Sequence, residues 1–159
     1  YYSQPFIKVT GHIQEAGKTS KLVGDGWFDH EWTSQLIDAS TAGWDWLSMH
    51  LDSGHKVMVF RMRLNEQPPH YYASYIEPSG TLRSLVPDQF SFVPIVQSHF
   101  KGRDFPSEWS LEIPELKIDI TTKPQKQQQW NLGRFEYYEG AIDITGTHSG
   151  VGFMELTGY

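Results

Sequence analysis

Short runs in which hydrophobic and polar residues alternate fill most of this chain, and helical periodicity is nearly absent. Turn-forming residues separate the runs, as at Ala16-Gly17-Lys18, Asp52-Ser53-Gly54-His55 and Glu77-Pro78-Ser79-Gly80. A period of two bounded by turn residues is typical of antiparallel strands, so the pattern predicts an all-β sandwich or barrel of about ten strands. The predicted strands cover residues 6–14, 20–32, 44–51, 56–64, 71–76, 81–86, 90–100, 109–113, 116–122, 137–145 and 152–157.

Three segments depart from plain alternation. The long second run contains Gly24 and Gly26, and a glycine inside a strand pattern predicts a β-bulge at one of them. The segment Ser34–Ser40 is the one predicted helix, and it is short. The polar tract Gln125–Gln129 is interpreted as a solvated loop without a functional part.

The predicted hairpin around Ser53-Gly54 gives a strand register that can be tested. If these two residues form the loop, Asp45 lies opposite Met62 and shares a face with Leu47 and Met49. The other face then pairs two tryptophans with two arginines, namely Trp46 with Arg61 and Trp44 with Arg63. Such pairs can form cation–π contacts, although packing on the exterior of the sheet is the simpler alternative.

Asp45 is a candidate general acid under this register. An apolar environment favours the neutral form of a carboxyl group unless a partner opposes it, and a protonated carboxyl can donate a proton near neutral pH. The simpler alternative is that backbone N–H groups or an arginine satisfy the carboxylate.

The segment Trp27–Trp32 (WFDHEW) combines aromatic and titratable side chains. On a strand, His30 shares one side with Phe28 and Trp32, where it could carry a proton or orient a ligand. A hydrogen-bonded structural histidine is the alternative. Neighbouring residues of a strand point to opposite faces, so Asp29, His30 and Glu31 cannot ligate one ion on a regular strand, and no metal site is predicted.

Composition and charge exclude several classes of protein. The 159 residues suit one domain, and the absence of Cys excludes disulfides and thiol chemistry. The net charge is −6 and the basic residues are scattered, so nucleic-acid binding is not expected. No apolar run approaches the roughly 18 residues of a membrane span. The chain does not begin with Met, and we expect it to be part of a longer protein.

Several motifs occur together in a familiar order. They are Tyr1-Tyr2-Ser3-Gln4-Pro5, Trp27–Trp32, Gly43-Trp44-Asp45-Trp46, Glu139-Gly140-Ala141 and the final Glu155-Leu156-Thr157-Gly158-Tyr159. In this combination the chain resembles the lipocalin-like family of hydroxyneurosporene synthase (carotenoid 1,2-hydratase) and the AttH-type proteins. The resemblance spans nearly the whole chain. It departs from the family pattern at Tyr138, where a Trp is usual.

The resemblance implies a lipocalin-like antiparallel β-barrel, forming a single domain over residues 1–159 and the C-terminal half of a two-domain protein. The partners implied are an N-terminal lipocalin-like domain and an apolar small molecule. The family's chemistry includes hydration of a terminal isoprenoid double bond, which needs no cofactor. His30 and Trp32 are the positions carried over from the hydratase's active region. An exported or cell-envelope bacterial location is slightly favoured by the same resemblance.

Two hypotheses for function follow. The first is a cofactor-independent enzyme on an isoprenoid or polyene-like substrate, with His30, Asp45 and Trp32 as catalytic residues. The second is a module that only binds an apolar ligand or supports a companion domain. Glycan binding by exposed Trp27, Trp44 and Trp46 is a more distant third. The candidate ligand-binding residues are Phe28, Trp44, Trp46, Tyr138, Glu139, Arg61 and Arg63.

Overall fold

A computed structural model describes residues 1–32 and 40–159. The chain divides into two compact units, residues 1–36 and 37–159, which are called the first and second unit below. Apart from Ser40, which lies in a turn, the predicted helix falls outside the described residues. In the part of the chain that is described, no helix is long and apolar enough to cross a membrane.

The first unit is an antiparallel hairpin of β1 (Tyr2–Glu15) and β2 (Lys18–His30). Ala16 and Gly17 form its two-residue loop, and both have positive φ, at 48° and 79°. Two successive positive φ values characterise the type I′ turn, whose twist matches that of the flanking strands. The predicted turn at this place is confirmed.

The β-bulge of this hairpin lies in a different strand from the one predicted. The register shifts between Gln4 and Ile7 of β1, which pair with Phe28 and Gly26 of β2. Two residues of β1 therefore face a single residue of β2. One of the two is Pro5, which has no N–H to donate to the ladder, and a bulge accommodates that missing donor. The glycines of β2 therefore predicted correctly that a bulge lies near Gly26 along the hairpin, but the extra residue belongs to β1 and not to β2.

Within the described residues 40–159, the second unit forms one antiparallel sheet of ten strands. In spatial order the main path runs β6-β5-β4-β3-β12-β11-β9-β8-β7, and β10 pairs with β11 beside this path. Short 3₁₀ turns follow β6 at Pro87–Gln89 and β8 at Pro114–Leu116. The strands are β3 (Thr41–Leu51), β4 (Lys56–Leu64), β5 (His70–Ile76), β6 (Leu82–Leu85), β7 (Ser91–Phe100), β8 (Arg103–Ile113), β9 (Ile118–Pro124), β10 (Trp130–Leu132), β11 (Glu136–Gly146) and β12 (Gly150–Leu156).

The ten-stranded sheet curls around its own core. Arg61 of β4 lies over the indole ring of Trp109 in β8, with the guanidinium carbon 4.7 Å from the ring centroid. Four strands separate β4 from β8 along the sheet, so a flat sheet could not bring the two side chains together. The inward side chains of this half-barrel form one hydrophobic core, whose largest fully buried members are Trp109, Tyr138, Phe105, Leu47, Met49 and Leu111. The predicted all-β, lipocalin-like architecture is confirmed.

The β3–β4 hairpin is confirmed, but its predicted register is wrong by one residue. Asp45 pairs with Arg61, and Trp44 pairs with Met62. The reason is the loop, which has three residues instead of two: the N–H of Leu51 bonds the carbonyl of His55 across it, and Gly54 takes a φ of 89°. A three-residue loop that ends in a left-handed glycine is a common hairpin connection.

Gln129 ends the tract interpreted as a solvated loop, yet its side chain is part of the sheet. Its amide oxygen accepts the N–H of Ala141 at 3.1 Å, and its amide nitrogen donates to the carbonyl of Ala141 at 3.2 Å. The amide therefore replaces a strand partner for that residue. A Cβ on Gly140 would collide with the same amide, which explains the glycine of the Glu-Gly-Ala motif.

Candidate functional site

Asp45 lies at the centre of the polar cluster in the interior of the second unit. Its side chain is 0% exposed, and it stands directly opposite Arg61 on the neighbouring strand. Nε of Arg61 donates to one carboxylate oxygen at 2.7 Å, and the hydroxyl of Tyr159 donates to the other at 2.6 Å. Nε of Arg63 approaches the first oxygen at 3.4 Å. We call these four residues the Asp45 cluster.

The remaining contacts of the Asp45 cluster tie its members to one another. The guanidinium of Arg63 lies over the ring of Tyr159, with its carbon 3.8 Å from the centroid. Arg61 also donates to the Tyr159 hydroxyl at 3.3 Å. Burial and the neighbouring Asp45 carboxylate together raise the pKa of Tyr159. Burial alone would lower the pKa of Arg61, but its ion pair with Asp45 raises that pKa overall. The arrangement is an anion held by two cations and a phenol.

The Gly43–Trp46 motif and the Glu155–Tyr159 motif contact each other directly. Trp44 donates its backbone N–H to the hydroxyl of Thr157 at 3.0 Å and its indole N–H to Glu155 at 2.8 Å. The N–H of Thr157 donates to the carbonyl of Trp44 at 2.9 Å. The close approach also explains two glycines: a Cβ on Gly43 would collide with the Thr157 carbonyl, and one on Gly158 with the Ala42 carbonyl. The two motifs are therefore halves of one structural junction.

The predicted pairing of Trp44 and Trp46 with the two arginines is wrong. Because the register is displaced by one residue, both indoles point away from the face that carries Arg61. Trp46 is half-buried opposite Phe60. The cation–π contacts that form are those of Arg61 with Trp109 and of Arg63 with Tyr159. The alternative interpretation of Asp45, a carboxylate satisfied by arginine, agrees with the observed contacts.

His30 lies within a group of exposed aromatic rings in the first unit. Its ring centroid is 4.9 Å from that of Trp32, 5.7 Å from that of Tyr2 and 6.2 Å from that of Phe28. We call these four residues the His30 cluster. The side chain of Trp32 is among the most exposed apolar groups of the chain, at 67%. The prediction that Phe28, His30 and Trp32 share one side of their strand is confirmed.

Asp29 occupies the opposite side of the same strand. Its carboxylate accepts a hydrogen bond from the Tyr1 hydroxyl at 2.7 Å and another from the Ser3 hydroxyl. Asp29 therefore fixes the start of β1 against β2. Among the described residues, no group of three or more His, Asp or Glu side chains is placed to hold a metal ion.

Tyr138 and Glu139 lie on opposite faces of β11. Tyr138 is fully buried beside Phe105 and Trp130, with ring centroids 5.5 and 6.0 Å away, and it pairs with Leu156 on β12. Gln129 donates to its hydroxyl at 3.0 Å, and burial raises the pKa of Tyr138 against that hydrogen bond. Glu139 accepts a hydrogen bond from Asn131 at 3.2 Å.

The structure thus distributes the candidate residues over two units. Phe28, His30 and Trp32 belong to the first unit, and the other candidates belong to the second. The structure brings Asp45, Arg61 and Arg63 together. Tyr138 packs against other interior residues, namely Phe105 and Trp130. A shared site that contains both His30 and Asp45 stays a prediction. Sequence reasoning missed Tyr2 and Tyr159 as members of these clusters, and it missed Trp109 as the aromatic partner of Arg61. Tyr2 and Tyr159 each carried a signal, namely their places in the first and last motifs, whereas Trp109 carried none.

Comparison with known proteins assigns the family. The AttH-like family model matches residues 1–159. A solved structure from Nitrosomonas europaea assigned as AttH is 34% identical over 99% of this chain and 52% of that chain, with a TM-score of 0.87. Kievitone hydratase from Nectria haematococca shares the fold with a TM-score of 0.78, at 18% identity over 98% of this chain and 51% of that chain. No curated protein matches the chain significantly.

The chain spans about half the length of these two solved structures. The family model, in contrast, covers every residue of the chain. The sequence identity of 34% to the AttH structure from Nitrosomonas europaea is high enough to indicate a common family and not only a common fold. The curled antiparallel sheet, the interlocked Gly43–Trp46 and Glu155–Tyr159 motifs and the whole-chain match therefore agree that this chain belongs to the AttH-like family of lipocalin-like folds.

Proposed function

We propose that this chain is a lipocalin-like module of a hydratase-like enzyme that acts, without a cofactor, on an apolar isoprenoid or polyene-like substrate. The observation that carries the proposal is the His30 cluster, in which an imidazole is surrounded by the rings of Tyr2, Phe28 and Trp32. A fold shared with a hydratase supports the same reaction class.

Hydration of an alkene needs a proton donor, groups that stabilise the carbocation intermediate, and a water molecule that attacks it. The imidazolium N–H of His30 would transfer its proton to one alkene carbon, forming a C–H bond from the π electrons and leaving a carbocation on the other carbon. The faces of Trp32, Phe28 and Tyr2 would stabilise that positive charge through their quadrupoles. Water would then form the C–O bond and return a proton to the neutral imidazole.

His30 suits the role of proton carrier better than Asp45 does. Histidine changes its charge near neutral pH, and the His30 side chain is exposed. Both oxygens of Asp45 are occupied by arginine and tyrosine donors inside the core. With both oxygens occupied by donors and no exposure to solvent, this carboxylate is poorly placed to reach a substrate. We therefore propose Asp45 as a structural anion.

A module that only binds an apolar ligand, or that supports a second lipocalin-like domain, is the other candidate. The exposed rings of Trp32 and Phe28 favour it, because exposed aromatic groups on one surface bind apolar partners without any chemistry. A second domain as partner is consistent with the half-length match to the two solved structures.

The test is hydration of an acyclic carotenoid by the whole protein that contains this chain. Lycopene is incubated in water enriched in ¹⁸O, and the product is examined for a gained water by mass spectrometry. We expect His30→Gln to lower the rate by roughly 100-fold or more, as for loss of a general acid–base group. The matched control is His12→Gln, an exposed histidine of the same hairpin, which should leave the rate unchanged.

The outcomes separate the two candidates. Incorporation of ¹⁸O that depends on His30 supports the enzyme. Saturable binding of lycopene by the wild-type protein without any product supports the binding module instead. Turnover that survives His30→Gln with the fold intact contradicts the proposed role of His30.

A further inference from the structure

Two hairpin turns of the second unit lie side by side at one end of its sheet. Residues 101–102 form the turn that joins β7 to β8, and residues 133–135 form the turn that joins β10 to β11. Arg103 follows the first turn and Glu136 follows the second, and their side chains form an ion pair. The ion pair therefore holds the two turns together. We call residues 99–104 and 130–136 the paired turns.

An apolar stripe runs from the core to the second of these turns. Trp130 is half-buried, and its ring centroid is 5.2 Å from that of the fully buried Phe105. Leu132 lies two positions further along β10 on the same side of the strand, and it is 45% exposed. Phe135 follows in the turn, and its exposure of 76% is the highest of any large apolar side chain in the described part of the second unit. The stripe therefore ends in apolar groups that solvent surrounds.

The charged side chains of the paired turns have a positive balance. Besides the neutral ion pair they include one anion, Asp104, which is bonded to Nδ1 of His99 at 2.7 Å. They also include two exposed cations, Lys101 and Arg134, and neither forms an ion pair within residues 1–32 and 40–159. With His99 neutral, the paired turns carry a net charge of +1 in a chain whose net charge is −6. This end of the sheet is therefore complementary to an anionic partner.

Each of the two unpaired cations lies beside an aromatic ring. The guanidinium carbon of Arg134 is 5.6 Å from the ring centroid of Phe135, and Nζ of Lys101 is 5.5 Å from that of Phe100. Lys101 and Gly102 both have positive φ, at 49° and 81°, as in the type I′ turn, whose backbone is well defined. Positive charge and apolar surface are therefore presented together at both turns.

From this arrangement we infer that the paired turns bind the surface of a membrane that contains anionic phospholipids. Phe135 and Leu132 enter the boundary between the headgroups and the acyl chains, as the apolar side of a surface-bound segment does. Lys101 and Arg134 contact the lipid phosphates, which attract basic groups near the membrane surface. The inference uses residues of the second unit only, so it does not depend on the proposed chemistry of His30.

A second copy of this chain is the competing occupant of the surface. In a symmetric contact between two copies the same patch meets itself, so Lys101 and Arg134 of one copy would approach those of the other. Like charges repel each other, whereas a phospholipid surface offers a phosphate to each cation. The charge of the paired turns therefore favours the membrane.

The experiment measures flotation of the full 159-residue chain with vesicles of phosphatidylcholine, and with vesicles in which roughly one third of the lipid is phosphatidylglycerol. We expect the chain to bind the anionic vesicles at least about tenfold more strongly, and to lose this preference as the salt concentration rises. Phe135→Ser should lower the partition coefficient on anionic vesicles roughly tenfold, because an apolar group is lost from the lipid. Lys101→Gln and Arg134→Gln should each lower it about fivefold and leave binding to the neutral vesicles unchanged.

Val23→Ser is the matched control, because Val23 belongs to the first unit and is as exposed as Phe135, at 76%. It should leave the partition coefficient unchanged. No binding to anionic vesicles, equal binding to both kinds of vesicle, binding that survives Phe135→Ser, or an equal loss with Val23→Ser would each overturn the inference. A wild-type dimer in sedimentation that Phe135→Ser dissociates would overturn it as well, because that result would assign the paired turns to a second copy.

Discussion

Asp45 and Arg61 stand opposite each other on β3 and β4, and Nε of Arg61 donates to the Asp45 carboxylate at 2.7 Å. Directly opposite residues of an antiparallel pair have their side chains on the same face, so the pairing places both charges in the interior of the sheet. The 0% exposure of Asp45 makes this ion pair part of the core and not a surface contact. The stability of the second unit should therefore depend on it.

Asp45→Asn should destabilise the second unit strongly. The amide cannot compensate the charges of Arg61 and Arg63, so both are left in the interior without an anion. Removing one partner of a buried ion pair typically costs about 3 kcal/mol or more. Urea unfolding of the variant should show this loss in the free energy of unfolding. Asp88→Asn, at an exposed position, is the control and should change it by less than about 0.5 kcal/mol.

Tyr159 should make stability fall at alkaline pH. Burial and the Asp45 carboxylate raise the pKa of Tyr159 in the folded state above the ordinary value of about 10. The folded state therefore holds the phenolic proton more tightly. This contribution is complete below pH 10 and is lost as the pH rises through the folded pKa.

The measurement is the urea midpoint at pH 8 and at pH 10.5 for the wild-type chain and for Tyr159→Phe. The variant should be less stable than wild type at pH 8, and the difference should narrow at pH 10.5. Other tyrosines titrate equally in both proteins, so the comparison isolates Tyr159. A difference that stays constant over this range would contradict the role of the phenolic proton.

Gly158→Ala should cost more stability than Gly80→Ala. Both glycines have positive φ, at 76° and 89°, so the backbone strain of roughly 1 kcal/mol is common to the two variants. A Cβ at Gly80 meets no atom within 4 Å, whereas one at Gly158 would collide with the Ala42 carbonyl. We expect about 1–3 kcal/mol of additional destabilisation at Gly158, measured by thermal unfolding. Equal destabilisation by the two variants would contradict this prediction, because it would mean that the backbone near Ala42 moves to accommodate the new Cβ.

Gln129→Ala should weaken the region where β10 and β11 pair. The variant removes the amide that bonds both backbone groups of Ala141 and the hydroxyl of Tyr138. Loss of these partners should cost about 2 kcal/mol, because at least one buried group is left unsatisfied. Amide exchange at Ala141 should accelerate as well. Gln127→Ala, exposed in the same tract, should have neither effect.

Alternation predicted the strands well because it depends on short-range sequence. β4 begins and ends where the pattern predicted, and Phe28, His30 and Trp32 share a side as expected. The strand β10 was missed, since three residues are too few to show a period. The prediction of the register between β3 and β4 was wrong for a local reason. The loop contains one more residue than predicted, with Gly54 in the left-handed conformation, and this residue places Arg61 instead of Met62 opposite Asp45.

The contents of the clusters depend on contacts that no local pattern encodes. The hydroxyl of Tyr159 reaches Asp45 across 114 positions of sequence, and Arg61 meets Trp109 because the sheet curls. Both contacts require the order of strands, which alternation leaves open. The resemblance supplied the motifs but not their mutual contact. The interlocking of Trp44 with Thr157 emerges only once β12 is placed beside β3.

The pairing of β3 with β12 has a consequence for how the chain folds. The first strand of the second unit finds its neighbour in the last one, so the middle of the sheet forms from segments about a hundred residues apart. Contacts at such separation are slow to form, because the loop must close before they contribute. During synthesis β3 keeps one edge unpaired until residues 150–159 have left the ribosome. The sheet of the second unit should therefore be completed only after these residues have emerged, when the hydroxyl of Tyr159 can donate to the Asp45 carboxylate.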